Sequence, residues 1–215
     1  TGAGRTLISK GFLREAKAHA ERVLKAIAQV DPQGALAVVG VEPSEIYTLR
    51  DEYLDFFPGD EQVQRLVERA YMVDEFLVRP AMDGTLRIAN FMERVKDGRA
   101  GQKVLLHGHC YQKAQPPATD GYPTGTAASQ ALLEAAGYQV EVIDSGCCGM
   151  AGAFGYEAEH YELSMKIGEL KLLPAVRAAG EDMLIAASGV SCEAQIKDGT
   201  GRSALHPVEL VFKSL

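Results

Sequence analysis

Apolar residues recur at helical spacing over residues 10–30, where Phe12, Leu13, Ala16, Ala20, Val23, Leu24 and Ile27 share one stripe. This spacing predicts an amphipathic helix, and Asp31-Pro32-Gln33-Gly34 supplies the turn chemistry that ends it. The uninterrupted run Ala35-Leu36-Ala37-Val38-Val39-Gly40-Val41 has the composition of a buried parallel strand. Glu42-Pro43-Ser44 then opens a helix expected to reach Phe57, with Pro43 suited to the first turn. Pro58-Gly59 breaks the chain, and Asp60 is placed to cap a long helix through Val78. Residues 80–101 lack a clear period and are expected to form a connection with one short helix.

The pattern then restarts. Lys103-Val104-Leu105-Leu106-His107 reads as a strand, followed by a turn at His109-Cys110-Tyr111. Thr124 or Thr126 caps a helix over Ala127–Ala136, and Tyr138–Ile143 is a further strand. Glu157–Leu173 is amphipathic helix, with another helical turn beginning at Pro174. Met183–Ala187 reads as a strand, Ser188–Cys192 as a turn and Glu193–Lys197 as the start of a helix. His206-Pro207 opens a terminal helix. Strands alternating with helices indicate an α/β fold built on parallel sheets, with helices packed against them.

Internal similarity suggests two pseudo-repeated halves. Gly4 to Phe12 resembles Gly149 to Tyr156, and Val38 to Glu45 resembles Ile185 to Cys192, both at an offset of about 145 residues. Residues 1–100 are then a first half and residues 101–215 a second. This alignment sets Gly2 and Ala3 opposite Cys147 and Cys148, and Glu45 opposite Cys192. Only the second half carries thiols.

All four cysteines, Cys110, Cys147, Cys148 and Cys192, follow strand-like runs. In open parallel sheets those carboxyl ends lie along one edge, where ligands bind. Four converging thiolates suit zinc or an iron–sulfur cluster. Adjacent cysteines reach two irons more easily than two corners of one tetrahedral ion, and the spaced pairs of structural zinc sites are absent, so a cluster is favoured. A lone cysteine after a strand is otherwise a small buried hydrophobe. Gly146 and Gly149, on either side of the pair, let the backbone approach a bound group closely. His107 and His109 flank Cys110 and could be ligands, proton carriers or polar turn residues. Lys113 could offset thiolate charge near the strand ends but reads by default as a solvated lysine, and His206 reads most simply as a helix-start residue that could lie near the same edge.

A net charge of −7 and a pI near 5.3 argue against non-specific nucleic-acid binding. No apolar run approaches the roughly 20 residues needed to span a bilayer. The start has no apolar signal region and no initiator Met, so a cytoplasmic piece of something longer is expected.

Three segments together carry a resemblance: His107-Gly108-His109-Cys110-Tyr111-Gln112-Lys113-Ala114, Ser145-Gly146-Cys147-Cys148-Gly149-Met150-Ala151-Gly152, and Ser188-Gly189-Val190-Ser191-Cys192. They resemble the cysteine-rich Cys-Cys-Gly domain family, which includes the cysteine-rich subunit of heterodisulfide reductase and the iron–sulfur parts of D-2-hydroxyacid oxidases. His206-Pro207-Val208-Glu209-Leu210 extends the likeness to the C-terminal region of FAD-linked members.

The resemblance implies a 4Fe-4S cluster on the four cysteines, with FAD on a separate domain. It also implies flavin-binding and ferredoxin-like partner domains or subunits, a setting compatible with peripheral association at a membrane, and no turnover by this region alone. Gly189 stands where the family motif has a further cysteine, which favours a single four-thiolate cluster. The rival readings are a zinc site, a thiol–disulfide relay and a metal-free scaffold that docks the flavin domain.

Overall fold

The computed structural model describes residues 2–81, 87 and 101–214. The short helix expected within residues 80–101 lies outside the described residues. The chain divides into two compact units, Thr1–Met72 and Val73–Leu215.

In the first unit, α1 (Arg5–Ser9) and α2 (Leu13–Val30) precede β1 (Val38–Gly40), then α3 (Pro43–Arg50), α4 (Glu52–Phe56), α5 (Glu61–Arg69) and β2 (Ala70–Met72). The apolar stripe of α2 turns Ala16, Ala20 and Leu24 inward. Asp60 caps α5 as expected, its carboxylate accepting from the N–H groups of Gln62 and Val63.

The single helix expected from Asp60 to Val78 is instead two helices separated by a strand. Val38, Val39 and Gly40 pair in parallel with Ala70, Tyr71 and Met72. Ala70 and Met72 are buried, and this tertiary pairing overrides a local helical period. The helix expected from Pro43 to Phe57 is likewise interrupted at Asp51.

Fully buried Tyr53 donates its hydroxyl to the Ala3 carbonyl at 3.0 Å. Replacing Tyr53 with Phe should destabilise this unit by about 1–2 kcal/mol, because the carbonyl loses a buried donor. Denaturant unfolding of the two proteins checks this.

The second unit opens with α6 (Val73–Leu77) and continues through β3 (Lys103–His107), α7 (Cys110–Lys113), α8 (Gly125–Ala135) and β4 (Gln139–Val142). Two 3-10 turns, Phe154–Tyr156 and Ala158–His160, lead to α9 (Tyr161–Glu169) and α10 (Leu172–Ala178). Last come β5 (Leu184–Ala187), α11 (Val190–Thr200), β6 (Ala204–Leu205) and α12 (Pro207–Ser214). The one helix expected over Glu157–Leu173 is thus a 3-10 turn, α9 and the first residues of α10.

The four strands lie in the order β4-β3-β5-β6, and all are parallel. Both sheets are parallel and flanked by helices, which is the expected α/β class.

Alternation along β3 and β5 sorts the core into two layers. Val104, Leu106 and Ala186 pack with Leu132, Leu133 and Leu210 from α8 and α12. Leu105, Ile185 and Ala187 face Leu172, Leu173, Val176 and Ile196 from α10 and α11, in a layer that also contains Cys148 and Cys192. His107 continues the Leu105 side of the pleat and so enters the layer that holds these two thiols.

Candidate metal centre

Strand order reverses between β3 and β5, since β3 leads to β4 on one side and β5 lies on the other. Such a switch point opens a crevice at the carboxyl ends of the strands. Register sets Leu106 beside Val142 and His107 beside Ala187, so three strands end together. Cys110 begins α7 after β3, Cys147 and Cys148 lie in the loop after β4, and Cys192 sits in the first turn of α11 after β5. The expected turn around Cys192 is therefore already helix.

All four thiols are free. Cys147 accepts hydrogen bonds from the thiols of Cys110 and Cys148, and from the N–H of Gly149 at 3.3 Å. These donors hold Cys147 well below the usual thiol range. Its neighbours move the other way. Cys110 is pushed up by its bond to Cys147 and by burial. Cys148 is pushed up by its bonds to Cys147 and Cys192 and by burial.

His107 is fully buried. Its Nδ1 lies 2.9 Å from Ser145 Oγ, and its Nε2 has no hydrogen-bond partner among the described residues. A ring nitrogen of His107 and the sulfurs of Cys148 and Cys192 lie within 4.8 Å of one another, a set able to hold a metal ion. Burial, and then the charge of Lys113, lower the His107 pKa to about 3, so the imidazole is neutral at physiological pH.

His109 shapes the site from the other side. Its Nδ1 accepts from Tyr111 N–H at 3.2 Å while its own N–H donates to Gln112 Oε1 at 3.0 Å, a reciprocal cap that fixes the start of α7 and hence Cys110. The Cys110 sulfur is 3.8 Å from the same Nδ1. A Cβ at Gly189 would stand 2.5 Å from His109 Cδ2 and 3.5 Å from the Cys192 sulfur. Gly189 thus leaves room for the imidazole beside Cys192.

The two loop glycines differ. Gly146 is exposed with open space around it, and its carbonyl accepts from Lys113 at 3.1 Å. Gly149 is buried, has φ of +106° and would clash with the Ser164 carbonyl if it carried a side chain.

Lys113 is not the solvated residue expected. Its ammonium donates to the Ser145 carbonyl, to Ser145 Oγ at 3.1 Å and to the Gly146 carbonyl, clasping the cysteine loop to α7. Burial lowers its pKa. Helical spacing alone cannot show that a loop from another strand lies within its reach.

Sequence reasoning also missed a buried polar network beneath α7. Asp74 accepts from Gln112 Nε2 at 3.2 Å, from the Ser129 hydroxyl and from Glu75 N–H at 2.8 Å. Glu75 accepts from Gly125 N–H at 3.0 Å. The helix expected through Val78 gave no sign that these two carboxylates are buried. A cavity of about 730 Å³ flanks the site and is lined in part by Gln112, Lys113, Thr126, Asp144 and Ser145.

In the first unit, the positions aligned with these cysteines hold different chemistry. The Glu45 carboxylate accepts from Ala3 N–H, and a Cβ on Gly2 would lie 2.8 Å from it. His19 Nε2 lies 2.7 Å from the Gly2 carbonyl oxygen.

Residues 104–197 match the cysteine-rich domain family. The matched span takes in most of β3, the four thiols and most of α11. Over 204 residues the chain is 28% identical to D-2-hydroxyglutarate dehydrogenase of Pantoea ananatis, covering 95% of this chain and 18% of that protein. Identity to the enzyme of the same name from Pseudomonas putida is 29% over 215 residues, covering 98% and 18%. One subunit of the anaerobic glycerol-3-phosphate dehydrogenase of Escherichia coli is 26% identical over 213 residues, covering 99% and 49%. The chain therefore spans about a fifth of the length of the first relatives and half of the last. Among the described residues, no helix is long and apolar enough to cross a membrane.

Proposed function

We propose that this chain is the electron-transfer region of a flavin-linked oxidoreductase acting on a 2-hydroxy acid. In this reading Cys110, Cys147, Cys148 and Cys192 hold an iron–sulfur cluster of the 4Fe-4S type, and His107, His109, Gly146 and Gly149 form its surroundings. The observation that carries it is the continuous chain of thiol contacts from Cys110 through Cys147 and Cys148 to Cys192 at a topological switch point.

The donor set fits, because soft thiolates are the preferred ligands of iron–sulfur clusters. The hydrogen bonds at Cys147 favour its thiolate form, and a ring nitrogen of His107 lies within 4.8 Å of the Cys148 and Cys192 sulfurs. When bound, such a cluster supplies one-electron relay between a flavin and an acceptor. The relatives' names favour a dehydrogenase; in this reading it is cytoplasmic, flavin-binding and ferredoxin-like domains or subunits are its partners, and peripheral membrane attachment is compatible. Substrate turnover belongs to the flavin domain. In the first half, residues 1–100, Glu45 occupies the place that Cys192 takes in the second.

Anaerobic reconstitution of the chain with iron and sulfide tests this. We expect about four irons per chain and broad visible absorbance. Cys148→Ser should abolish both, and unchanged iron content in that variant would defeat the ligand assignment.

A second reading rests on the compact His107–Cys148–Cys192 group, whose mutual spacing also suits a single tetrahedral ion such as zinc. Zinc uptake without iron uptake would favour it.

A further inference from the structure

Lys113, Ser145 and His107 form a line that runs from the flanking cavity into the thiol layer. Lys113 Nζ can only donate, and it reaches Ser145 Oγ at 3.1 Å. Ser145 Oγ is in turn 2.9 Å from His107 Nδ1. With the ammonium supplying one hydrogen to Oγ, the serine's own hydrogen is directed at Nδ1. The remaining imidazole hydrogen then sits on Nε2, on a ring that has a nitrogen within 4.8 Å of the Cys148 and Cys192 sulfurs and whose Nδ1 is already engaged by Ser145.

No hydrogen-bond partner answers that Nε2 among the described residues, and a buried polar atom left so is costly. Its natural acceptor is a sulfur that carries more negative charge than a thiol does. The sulfurs of Cys148 and Cys192 acquire that charge when they bind a metal.

We propose that His107 is a positioning residue that donates a hydrogen bond through Nε2 to the metal-bound sulfur of Cys148 or Cys192. Lys113 and Ser145 polarise this bond and set its direction. The inference rests on the reading that the thiols hold an iron–sulfur centre. A donor at a ligating sulfur stabilises the more negative, reduced state, so this chain raises the reduction potential of the centre. The group is built from three separate segments, β3, α7 and the loop after β4, and so forms only in the folded second unit.

The test is anaerobic redox titration of the full chain loaded with iron and sulfide, with 14N hyperfine spectroscopy of the reduced state. His107→Leu should keep its iron and titrate at a lower potential than wild type. His107→Gln, which restores a side-chain N–H, should recover part of the shift. Ser145→Ala should move the potential in the same direction while leaving His107 in place, which covers the case in which His107→Leu fails to fold.

Equal potentials in wild type, Ser145→Ala and the His107 variants would overturn the inference while leaving the cluster reading intact. Loss of iron from folded His107→Leu, together with a strong 14N coupling in wild type, would make His107 a ligand and overturn its role as donor. Failure of the wild-type chain to take up iron would overturn the cluster reading, and the inference with it.

Discussion

Gly149→Ala should destabilise the second unit by about 4 kcal/mol, at the upper end of what single substitutions do. Two costs combine. Gly149 has φ of +106°, a region that L side chains rarely adopt, and a Cβ there would stand 2.1 Å from the Ser164 carbonyl oxygen and 2.9 Å from Gln195 Nε2. Neither neighbour can simply rotate away. The Ser164 carbonyl belongs to α9 and accepts from Gln195 Nε2 at 3.0 Å, which ties α9 to α11. Relief therefore requires the loop, α9 and α11 to separate, and the Gly149 N–H would lose its bond to the Cys147 sulfur.

Gly146→Ala is the internal control. Nothing lies within 4 Å of a Cβ at that position, so its effect should stay within about 0.5 kcal/mol of zero. Urea unfolding under reducing conditions compares the two. If Gly149→Ala matched Gly146→Ala, the loop would not be pinned by this close approach. The two glycines look alike in sequence, on either side of Cys147-Cys148, and only the packing of α9 separates them.

That difference marks how far the sequence could be read. Every strand end bearing a cysteine was legible, because short apolar runs followed by turn chemistry identify parallel strands. Convergence of the four thiols then follows from sheet geometry. The short strands β2 and β6 were not legible. Ala70-Tyr71-Met72 fits a helical stripe as well as a strand, and only its pairing with Val38–Gly40 decides between them. Ala204–Leu205 is a two-residue strand fixed by Ile185 and Ala186.

Side-chain partnerships were less legible still. His107 and Ser145 are distant in sequence and meet only because β3 and β4 end together. Lys113, on a four-residue helix, gives no hint that it clasps the loop after β4. Residue types announced the chemistry, and long-range pairing supplied its second layer.

The buried network under α7 should make the second unit lose stability as the pH rises from about 4 to about 6. Burial, the largest cause, raises the Asp74 pKa from 3.8 to about 6, partly offset by hydrogen bonds from Ser129 and Glu75 N–H. Between those values the folded protein keeps a proton on Asp74 that the unfolded chain releases. Unfolding there releases a proton, so stability falls with rising pH, being full below the unfolded value and lost above the folded one. At 1.36 kcal/mol per pH unit the contribution amounts to about 3 kcal/mol.

Other groups titrate in the same window, so the informative quantity is the difference between wild type and Asp74→Asn. The neutral amide brings a fixed cost at every pH, since its NH2 cannot accept from Gln112 Nε2 as the carboxylate oxygen does. Relative to wild type, Asp74→Asn should gain about 3 kcal/mol between pH 4 and pH 7. Urea midpoints measured across that range provide the check, and a difference that stays constant with pH would show that Asp74 is ionised in the fold throughout. Gln112 links this carboxyl to α7, whose first residue is Cys110, so the protonation state of Asp74 also bears on how firmly that thiol is placed.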